Sequence, residues 1–245
     1  MTINNNASLV LATDLDGTFL GGTSSNREQL YSLLRNNSNV CLIFVTGRGR
    51  ESVQELFSDP NLPRPDFIIG DVGASIFKGD GKQPVEPLQS NIDALWPGDD
   101  EIQKRIEHLP GLTPQEVPLN NRLSYFVEDL SIVEAVRNQL KDLQCEVIYS
   151  ANRFLDILPR GVNKGSTLTL LVNHLGQDIS DVLVAGDTLN DLSLFQTKFK
   201  GVAVGNSEPE LLEAVADYPS TYIASDSGAG GILEALSHFG TVSKN

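Results

Sequence analysis

Two aspartates end the first apolar run of the chain and are its first candidates for chemistry. In the stretch VLATDLDGT, Asp14 and Asp16 stand two residues apart, before a glycine and a threonine. Asp is common in turns because its side chain accepts hydrogen bonds from nearby N–H groups, and calcium loops use a similar spacing. At the end of a buried strand, however, two carboxylates repel each other unless a cation or a shared proton offsets the repulsion. The pair is therefore typical of a turn or of a cation site.

A second acidic stretch favours the cation site. The sequence GDTLND follows another apolar run and supplies Asp187 and Asp191. Several carboxylate oxygens at one sheet edge suit Mg²⁺, which prefers octahedral oxygen coordination and keeps waters that a phosphate can replace. Beside Mg²⁺, an aspartate can attack phosphorus and form an aspartyl-phosphate. A carboxyl two residues further on, here Asp16, can protonate the leaving alkoxide and later accept a proton from water.

Two further stretches offer groups that bind phosphate. In VTGRGR, Thr46 supplies a hydroxyl and the following glycine turn supplies N–H groups, although a threonine here could also cap a helix. In RGVNKGS, Lys164 precedes a helix that begins with small residues. Its ammonium could neutralise phosphate charge or could simply be solvated. Taken alone, each residue favours the structural role, and only the set of motifs indicates a phosphate site.

These residues require a sheet whose strands end side by side. The first third of the chain alternates strand and helix signals in SLVLAT, NREQLYSLLRN, NVCLIFVT and DFIIGDVG, and the last third resumes this alternation from KGSTLTLLVNHLG to GGILEALSHF. Such alternation predicts a parallel sheet, in which functional groups gather at the carboxyl ends of the strands where the strand order reverses. We therefore expect the two thirds to form one doubly wound parallel sheet.

The middle of the chain has a different character. Residues 79–160 are richer in proline and charge, with helix candidates DDEIQKRIEH and SIVEAVRNQLKDL and strand candidates RLSYFVE, CEVIYS and RFLDILP. Strands in adjacent pairs imply an antiparallel sheet. The predicted architecture is therefore an α/β core of residues 1–78 and 161–245 with an inserted α+β domain of residues 79–160.

The charge of the chain argues against several partners. Lys and Arg number 18 and Asp and Glu number 32, which gives a net charge of −14 at pH 7. This excess disfavours nucleic acid and anionic membranes. No run approaches the roughly 20 apolar residues that span a bilayer, and the first residues lack a signal-peptide pattern. We expect a cytoplasmic protein with no nucleic-acid or membrane partner.

The stretches DLDGT, TGR, NKG and GDTLND, in this order and each after a strand signal, resemble the motifs of the haloacid dehalogenase superfamily of aspartate-nucleophile phosphatases. This resemblance implies a Rossmann-like core with Asp14 as nucleophile and Asp16 as general acid and base. It implies phosphate binding by four residues, which are Thr46, Gly47, Lys164 and Asn190. It implies Mg²⁺ ligands from four residues, which are Asp14, the main-chain carbonyl of Asp16, Asp187 and Asp191.

The inserted domain resembles the cap of the superfamily's subfamily IIB, which closes over sugar phosphates. Within it, GDVGASIF, FLDILPRGVNKG and SDSGAGGILEALSHF are most similar to sucrose-phosphate phosphatases. Asp71 and Ala74 stand at positions that we expect to vary among substrate classes, and Thr188 stands where serine is more usual. Sugar recognition would come largely from the cap, with polar candidates at Arg48, Ser124, Tyr125, Asn152, Arg153 and Asp156.

The function that these patterns predict is Mg²⁺-dependent hydrolysis of a sugar phosphate through an aspartyl-phosphate, with sucrose 6-phosphate as the lead substrate. Trehalose phosphate, mannosylfructose phosphate and glucosylglycerol phosphate are alternative substrates. Two alternatives belong to other classes: a catalytically silent binding protein of the same fold, and a signalling receiver domain, which is shorter and has no cap. The expected partners are the small-molecule sugar phosphate and a sugar-phosphate synthase, and the chain is expected to be a monomer.

Overall fold

The computed structural model describes residues 7–117 and 121–241. Its strands are β1 (Leu9–Thr13), β2 (Val40–Val45), β3 (Phe67–Gly70), β4 (Ser75–Lys78), β5 (Thr113–Pro114), β6 (Leu123–Phe126), β7 (Cys145–Ser150), β8 (Phe154–Pro159), β9 (Val182–Gly186), β10 (Lys200–Ala203) and β11 (Thr221–Ile223). Its helices are α1 (Ser24–Asn36), α2 (Arg50–Leu56), α3 (Leu88–Asp93), α4 (Asp99–Ile106), α5 (Leu130–Leu140), α6 (Lys164–Leu175), α7 (Leu192–Phe195), α8 (Pro209–Val215) and α9 (Ala229–His238). Within the described ranges, every helix is too short or too polar to span a bilayer.

The larger sheet has seven strands in the order β11-β10-β9-β1-β2-β3-β4. Strand β1 pairs in parallel with β2 on one side and with β9 on the other, so the strand order reverses at β1. The carboxyl ends of β1 and β9 consequently lie side by side. This topology confirms the predicted α/β fold with a doubly wound sheet. The antiparallel edge strand β4, which pairs with β3, is an addition to that prediction.

Burial on both faces explains why the central strands are continuous apolar runs. Side chains alternate across β1, so Leu9 and Leu11 pack in one apolar cluster with residues of α1 and α9. Val10 and Ala12 point the other way and pack with residues of α6. The sheet is therefore covered by helices on both sides, and its strand ends are held in fixed positions relative to one another.

The smaller sheet is antiparallel, with four strands in the order β5-β6-β8-β7. Residues of α4 and α5 pack against residues of β6 and β8 in an apolar cluster of their own. Helix α3 lies within residues 79–160, yet its residues Leu88 and Ile92 pack in the cluster that covers the larger sheet. The domain boundaries at 78/79 and 160/161 stay a prediction.

Candidate active site

The turn after β1 sends its two carboxylates in different directions. The chain makes a wide turn over Leu15–Phe19, in which Asp16 is extended and Gly17 is left-handed with φ of 83°. A Cβ on Gly17 would lie 2.1 Å from Oδ2 of Asp187, so only glycine fits this close approach. On either side of this turn the two carboxylates differ in exposure: Asp14 is 6% exposed, whereas the side chain of Asp16 is 59% exposed.

Helix α6 places a fully buried lysine opposite Asp14. Asn163 and Ser166 form a capping box that starts the helix, which makes Lys164 its first residue. The Nζ of Lys164 donates to Oδ1 of Asp14 at 2.7 Å, Oδ1 of Asn190 at 2.6 Å and Oδ1 of Asp191 at 2.6 Å. An ammonium has three hydrogens to donate, so these bonds satisfy it completely.

The turn after β9 positions the other two predicted metal ligands. Oδ2 of Asp191 accepts hydrogen bonds from the backbone N–H groups of Asp187 at 3.0 Å and Thr188 at 3.1 Å. One carboxylate oxygen of Asp191 therefore binds the backbone of the turn, and the other binds the ammonium of Lys164. The carboxylate of Asp187 accepts from the hydroxyl of Thr18 at 2.7 Å, which ties this turn to the one after β1.

Three carboxylates face one ammonium at this edge, which leaves an excess of negative charge. Oxygens of Asp14, Asp187 and Asp191 lie within 4.8 Å of one another. Burial raises the pKa of Asp14 to about 8, although the charge of Lys164 acts in the opposite direction. Burial and the charge of Asp191 raise the pKa of Asp187 to about 7. Burial acts to lower the pKa of Lys164, but the charges of Asp14 and Asp191 outweigh it and raise that pKa.

A divalent cation is the simplest group that offsets this excess. The donors are carboxylate oxygens, which are the ligands that Mg²⁺ prefers, and hydrogen bonds fix the turns that carry Asp187 and Asp191. The residues at this edge therefore fit Mg²⁺.

The loop after β2 lies beside Asp14 and carries the predicted phosphate-binding residues. Thr46 is 1% exposed, and its hydroxyl accepts a hydrogen bond from the backbone N–H of Arg48 at 3.1 Å. The guanidinium of Arg48 binds both oxygens of Asp16, with Nε to Oδ2 at 2.7 Å and Nη2 to Oδ1 at 2.6 Å. Arg48, a predicted sugar-binding residue, therefore holds the predicted acid and base in this conformation.

A cavity of about 650 Å³ lies between the two sheets and in front of Asp14. Among the described residues, the predicted ones that line it are Asp14, Asp16, Thr46, Gly47, Arg48, Asn190 and Asp156. Cap residues complete the wall, including Gln115, Glu116, Val117, Arg122, Ser150, Ala151 and Phe154. The structure thus brings five predicted core residues together at the floor of one cleft, which are Asp14, Asp16, Thr46, Gly47 and Asn190. Lys164, Asp187 and Asp191 lie beside Asp14 but outside the lining of the cavity.

The other predicted cap residues lie around this cleft rather than in its wall, as far as the described residues go. Ser124 donates to Oδ1 of Asp156 at 2.5 Å, directly behind the wall. Tyr125 packs in the apolar cluster of the smaller sheet. Asn152 is exposed in the turn before β8, and the guanidinium of Arg153 lies over the ring of Phe126 at 4.6 Å. Sugar binding by these four residues stays a prediction.

Sequence reasoning assigned no role to several residues that shape the site. Arg122 lines the cleft and donates from Nη1 to the backbone oxygen of Gly47 at 2.6 Å. Asn206 donates to the backbone oxygen of Gly17 at 3.1 Å, and Glu208 accepts from the backbone N–H of Leu189 at 2.9 Å. Asn206 and Glu208 follow strand β10, so their position after a strand end could have identified them as site candidates from the sequence.

Comparison with known proteins places these features among phosphatases. The family described as sucrose-6F-phosphate phosphohydrolase matches residues 7–240. A glucosylglycerol-phosphate synthase from Pseudomonas anguilliseptica is 50% identical, over 96% of this chain and 31% of its own length. A mannosylfructose-phosphate phosphatase from Agrobacterium fabrum is 32% identical, over 94% of this chain and 96% of its own length. The chain thus spans less than a third of the synthase but nearly all of the phosphatase.

A solved structure is similar over the whole fold. The X-ray structure of the sucrose-phosphatase from Synechocystis sp. PCC6803, in complex with sucrose and phosphate, superimposes with a TM-score of 0.88 at 32% sequence identity. The superposition covers 96% of this chain and 99% of that one. The two-sheet arrangement described above is therefore shared with a phosphatase of known structure.

Proposed function

Because the chain belongs to the sucrose-6F-phosphate phosphohydrolase family, we propose that it is a Mg²⁺-dependent phosphatase that hydrolyses a glycoside phosphate by way of Asp14. Family membership confirms the resemblance to haloacid dehalogenase phosphatases and supports the activity of a phosphoric monoester hydrolase. The fold, cap included, is similar to that of a subclass IIB sugar phosphatase of known structure. The metal, the intermediate and the identity of the sugar are parts of the proposal.

The observation that carries the mechanism is the fixed position of Asp14 at the floor of the cleft. Its carboxylate lies at the reversal of strand order, is bound on one side by Lys164 at 2.7 Å, and lines the cavity that the cap covers. A carboxylate held in this way is oriented toward a phosphorus atom that enters from the cleft. In this proposal Thr46, Gly47 and Asn190, which line the cavity, hold the phosphoryl oxygens. The buried ammonium of Lys164 contributes positive charge to the phosphate site from beside Asp14.

The proposed reaction has two steps. In the first, a carboxylate oxygen of Asp14 forms a bond to phosphorus while the bond from phosphorus to the sugar oxygen breaks, and Asp16 gives its proton to the leaving alkoxide. In the second, water attacks the aspartyl-phosphate, Asp16 takes a proton from that water, and inorganic phosphate leaves with Asp14 regenerated. Asp16 must leave its pair with Arg48 and take up a proton from water before the first step, and its side chain is 59% exposed to solvent.

The residues that would hold Mg²⁺ are Asp14, Asp187 and Asp191, with the main-chain carbonyl of Asp16. When bound, the ion would neutralise carboxylate and phosphoryl charge and so let the two anions approach. Asp191 also accepts hydrogen bonds from Lys164 and from the backbone N–H of Asp187, so it would orient these groups as well.

The two leading substrate candidates are glucosylglycerol phosphate and sucrose 6-phosphate. Glucosylglycerol phosphate has the stronger support, because the relative named for its synthesis is 50% identical, against 32% for the sucrose-phosphatase of known structure. Sucrose 6-phosphate, the lead substrate on sequence grounds, is supported by the description of the family. A sugar-phosphate synthase, whose reaction would supply the substrate, is the proposed protein partner.

The proposal is tested by phosphate release from a panel of glucosylglycerol phosphate, sucrose 6-phosphate, mannosylfructose phosphate, trehalose phosphate and p-nitrophenyl phosphate, with and without Mg²⁺. We expect a glycoside phosphate to have the highest kcat/KM. Asp14→Asn should lose activity by about 1,000-fold or more, whereas Asp100→Asn, on the exposed face of α4, should keep it. Undiminished activity of folded Asp14→Asn would refute the mechanism, and no release from any ester with Mg²⁺ would favour a silent binding protein.

A further inference from the structure

The loop before α9 packs against the chain just after the turn that follows β1. This loop contains the stretch SDSGAGG, residues 225–231. A Cβ on Gly228 would lie 2.3 Å from the carbonyl carbon of Gly21, so only glycine fits at this close approach. The N–H of Ala229 donates to the backbone oxygen of Gly21 at 3.3 Å. The turn after β1 is therefore backed by a second loop from the end of the chain.

Asn206, in the loop after β10, joins this second loop to the two turns that carry the predicted metal ligands. Its Oδ1 accepts a hydrogen bond from the backbone N–H of Gly228 at 2.8 Å. Its Nδ2 donates to the backbone oxygen of Gly17 at 3.1 Å, and a longer contact of 3.4 Å joins the same nitrogen to Oδ2 of Asp187. An amide nitrogen has two hydrogens, so Nδ2 can serve both acceptors at once. Both ends of one amide are therefore used.

The two acceptors of Nδ2 belong to the predicted Mg²⁺ ligands or lie next to them. The carboxylate of Asp187 is held at Oδ1 by the hydroxyl of Thr18 at 2.7 Å and at Oδ2 by Asn206. The predicted main-chain ligand is the carbonyl of Asp16, which is one peptide before the carbonyl of Gly17. Because Asn206 fixes the second peptide, it restricts the direction of the first. A single side chain thus acts on ligands from both turns.

The loop after β10 is held in place by its backbone as well as by Asn206. The N–H of Gly205 donates to the oxygen of Asp226 at 2.8 Å, and the N–H of Glu208 donates to the oxygen of Asp187 at 2.8 Å. Asn206 itself is exposed to solvent. Water can therefore replace its amide without leaving a buried polar group unpaired. We expect the removal of this amide to leave the loop in place and to affect mainly the orientation of the two turns.

We propose that Asn206 is a positioning residue for Mg²⁺, which holds the turn after β1 and the carboxylate of Asp187 in the relative orientation that the ion requires. This inference rests on the proposed function, since it concerns the metal site of that reaction. It also gives the loop before α9 a role, because the N–H of Gly228 holds the other end of the amide. Groups that orient metal ligands typically change metal affinity by about 10- to 100-fold when they are removed.

The test measures Mg²⁺ affinity without turnover. Metal-free protein is titrated with MgCl₂ at pH 8.5, and the rise in Tm and the heat of binding each give a Kd. We expect Asn206→Ala to raise this Kd by about 10-fold, the lower end of the usual range, because its hydrogen bonds are exposed. In EDTA, the Tm of the variant should lie no more than about 4 °C below that of the wild type.

Kinetics separate positioning of the metal from a direct part in the chemistry. At saturating Mg²⁺, kcat of Asn206→Ala should stay within about threefold of the wild type for p-nitrophenyl phosphate and for glycoside phosphates, because bound metal restores the geometry. At limiting Mg²⁺, the activity should fall with the occupancy of the site. Ser207→Ala, in the same loop, loses only a contact of 3.4 Å to the oxygen of Gly186. This matched control should change the Kd less than about twofold.

An unchanged Kd in folded Asn206→Ala, or an equal rise in Ser207→Ala, would overturn the inference while leaving the proposed function intact. A kcat that stays more than about threefold low at saturating Mg²⁺ would also overturn it, because the residue would then act on the chemistry. Wild-type protein that binds no Mg²⁺ would refute both the proposed metal site and this role of Asn206. Wild-type protein that binds Mg²⁺ but releases no phosphate would refute the proposed activity alone, and the Kd of the variant would still decide the role of Asn206.

Discussion

The two charged clusters beside the cleft, one around Lys164 and one around Arg122, differ in how well their charged groups are hydrogen-bonded. Around Lys164, each of the three contacts is a hydrogen bond of 2.6–2.7 Å, and the ammonium is fully satisfied. Around Arg122, the carboxylates of Asp71 and Asp156 lie at 3.8 and 4.0 Å, and buried atoms lack partners among the described residues. Both clusters are buried, so the difference lies in the quality of pairing rather than in exposure.

This difference suggests a division of labour in the cleft. Every phosphate ester presents the same phosphoryl group to Asp14. The side chains around Asp14 can therefore be fixed by hydrogen bonds within the protein whichever substrate is bound. The alcohol part varies among substrates, and polar atoms left for the ligand to pair give selectivity, because a wrong ligand leaves them unsatisfied. We therefore expect changes at Lys164 to affect every substrate and changes near Arg122 to affect the choice among substrates.

The largest effect is expected from Lys164→Met, which keeps the length of the side chain but removes the buried charge. The carboxylates of Asp14 and Asp191 would then face each other without compensation. We expect kcat to fall about 1,000-fold for every substrate and the free energy of unfolding to fall by about 3–5 kcal/mol. Urea unfolding and phosphate-release assays measure both, with Lys104→Met on the exposed side of α4 as control. A loss of activity confined to glycoside phosphates would contradict the expectation that the Lys164 cluster serves every substrate.

An intermediate effect is expected from Mg²⁺ on thermal stability. Without metal, the pKa of Asp14 is raised from 3.8 to about 8 and that of Asp187 to about 7, mainly by burial. The folded state then holds protons that the unfolded state has released, so metal-free stability falls as pH rises from about 4 to about 8. Mg²⁺ should offset this loss and raise Tm by about 5 °C at pH 8.5, but much less at pH 5.5.

Asp187→Asn provides the control for the metal effect, because it removes one carboxylate that contributes to the excess of charge. The variant should be more stable than the wild type in EDTA at pH 8.5 and should gain little from Mg²⁺. Equal gains in Tm for the wild type at both pH values, or an undiminished gain for Asp187→Asn, would contradict the assignment of this edge as a metal site. Arg122→Gln should leave the gain unchanged, since the two clusters are separate.

The sequence was informative about the first cluster because its residues follow predictable strand ends. Asp14 and Asp187 come directly after the apolar strands β1 and β9, and the parallel pairing of those strands brings the turns together. Each motif could thus be placed from local signals and one rule about parallel sheets. Lys164 was readable for a similar reason, since the helix start at Asn163 and Ser166 fixes its position.

The second cluster was less readable because it depends on contacts between distant segments. Asp71 and the following Val72 both have positive φ, and this turn places the carboxylate of Asp71 near Arg122. No sequence pattern predicts that conformation for an aspartate and a valine. Alternation along β6 puts Ser124 beside Asp156 and Tyr125 in the apolar cluster, yet both residues were equal candidates. Which face of β6 meets the cleft is decided by where α4 and α5 pack, which is a tertiary property.

The smallest effect is expected from Ser124→Ala, which removes the donor to Oδ1 of Asp156 at 2.5 Å. Arg122 is only 4.0 Å from that oxygen and can move closer, so the cluster can absorb the loss. We expect a stability loss of about 1 kcal/mol and a two- to fivefold rise in KM for glycoside phosphates, with kcat retained. Ser131→Ala, at an exposed position, serves as control in the same kinetic assay. A much larger rise in KM would mean that this cluster is as rigid as the one around Lys164, and selectivity would then need another source.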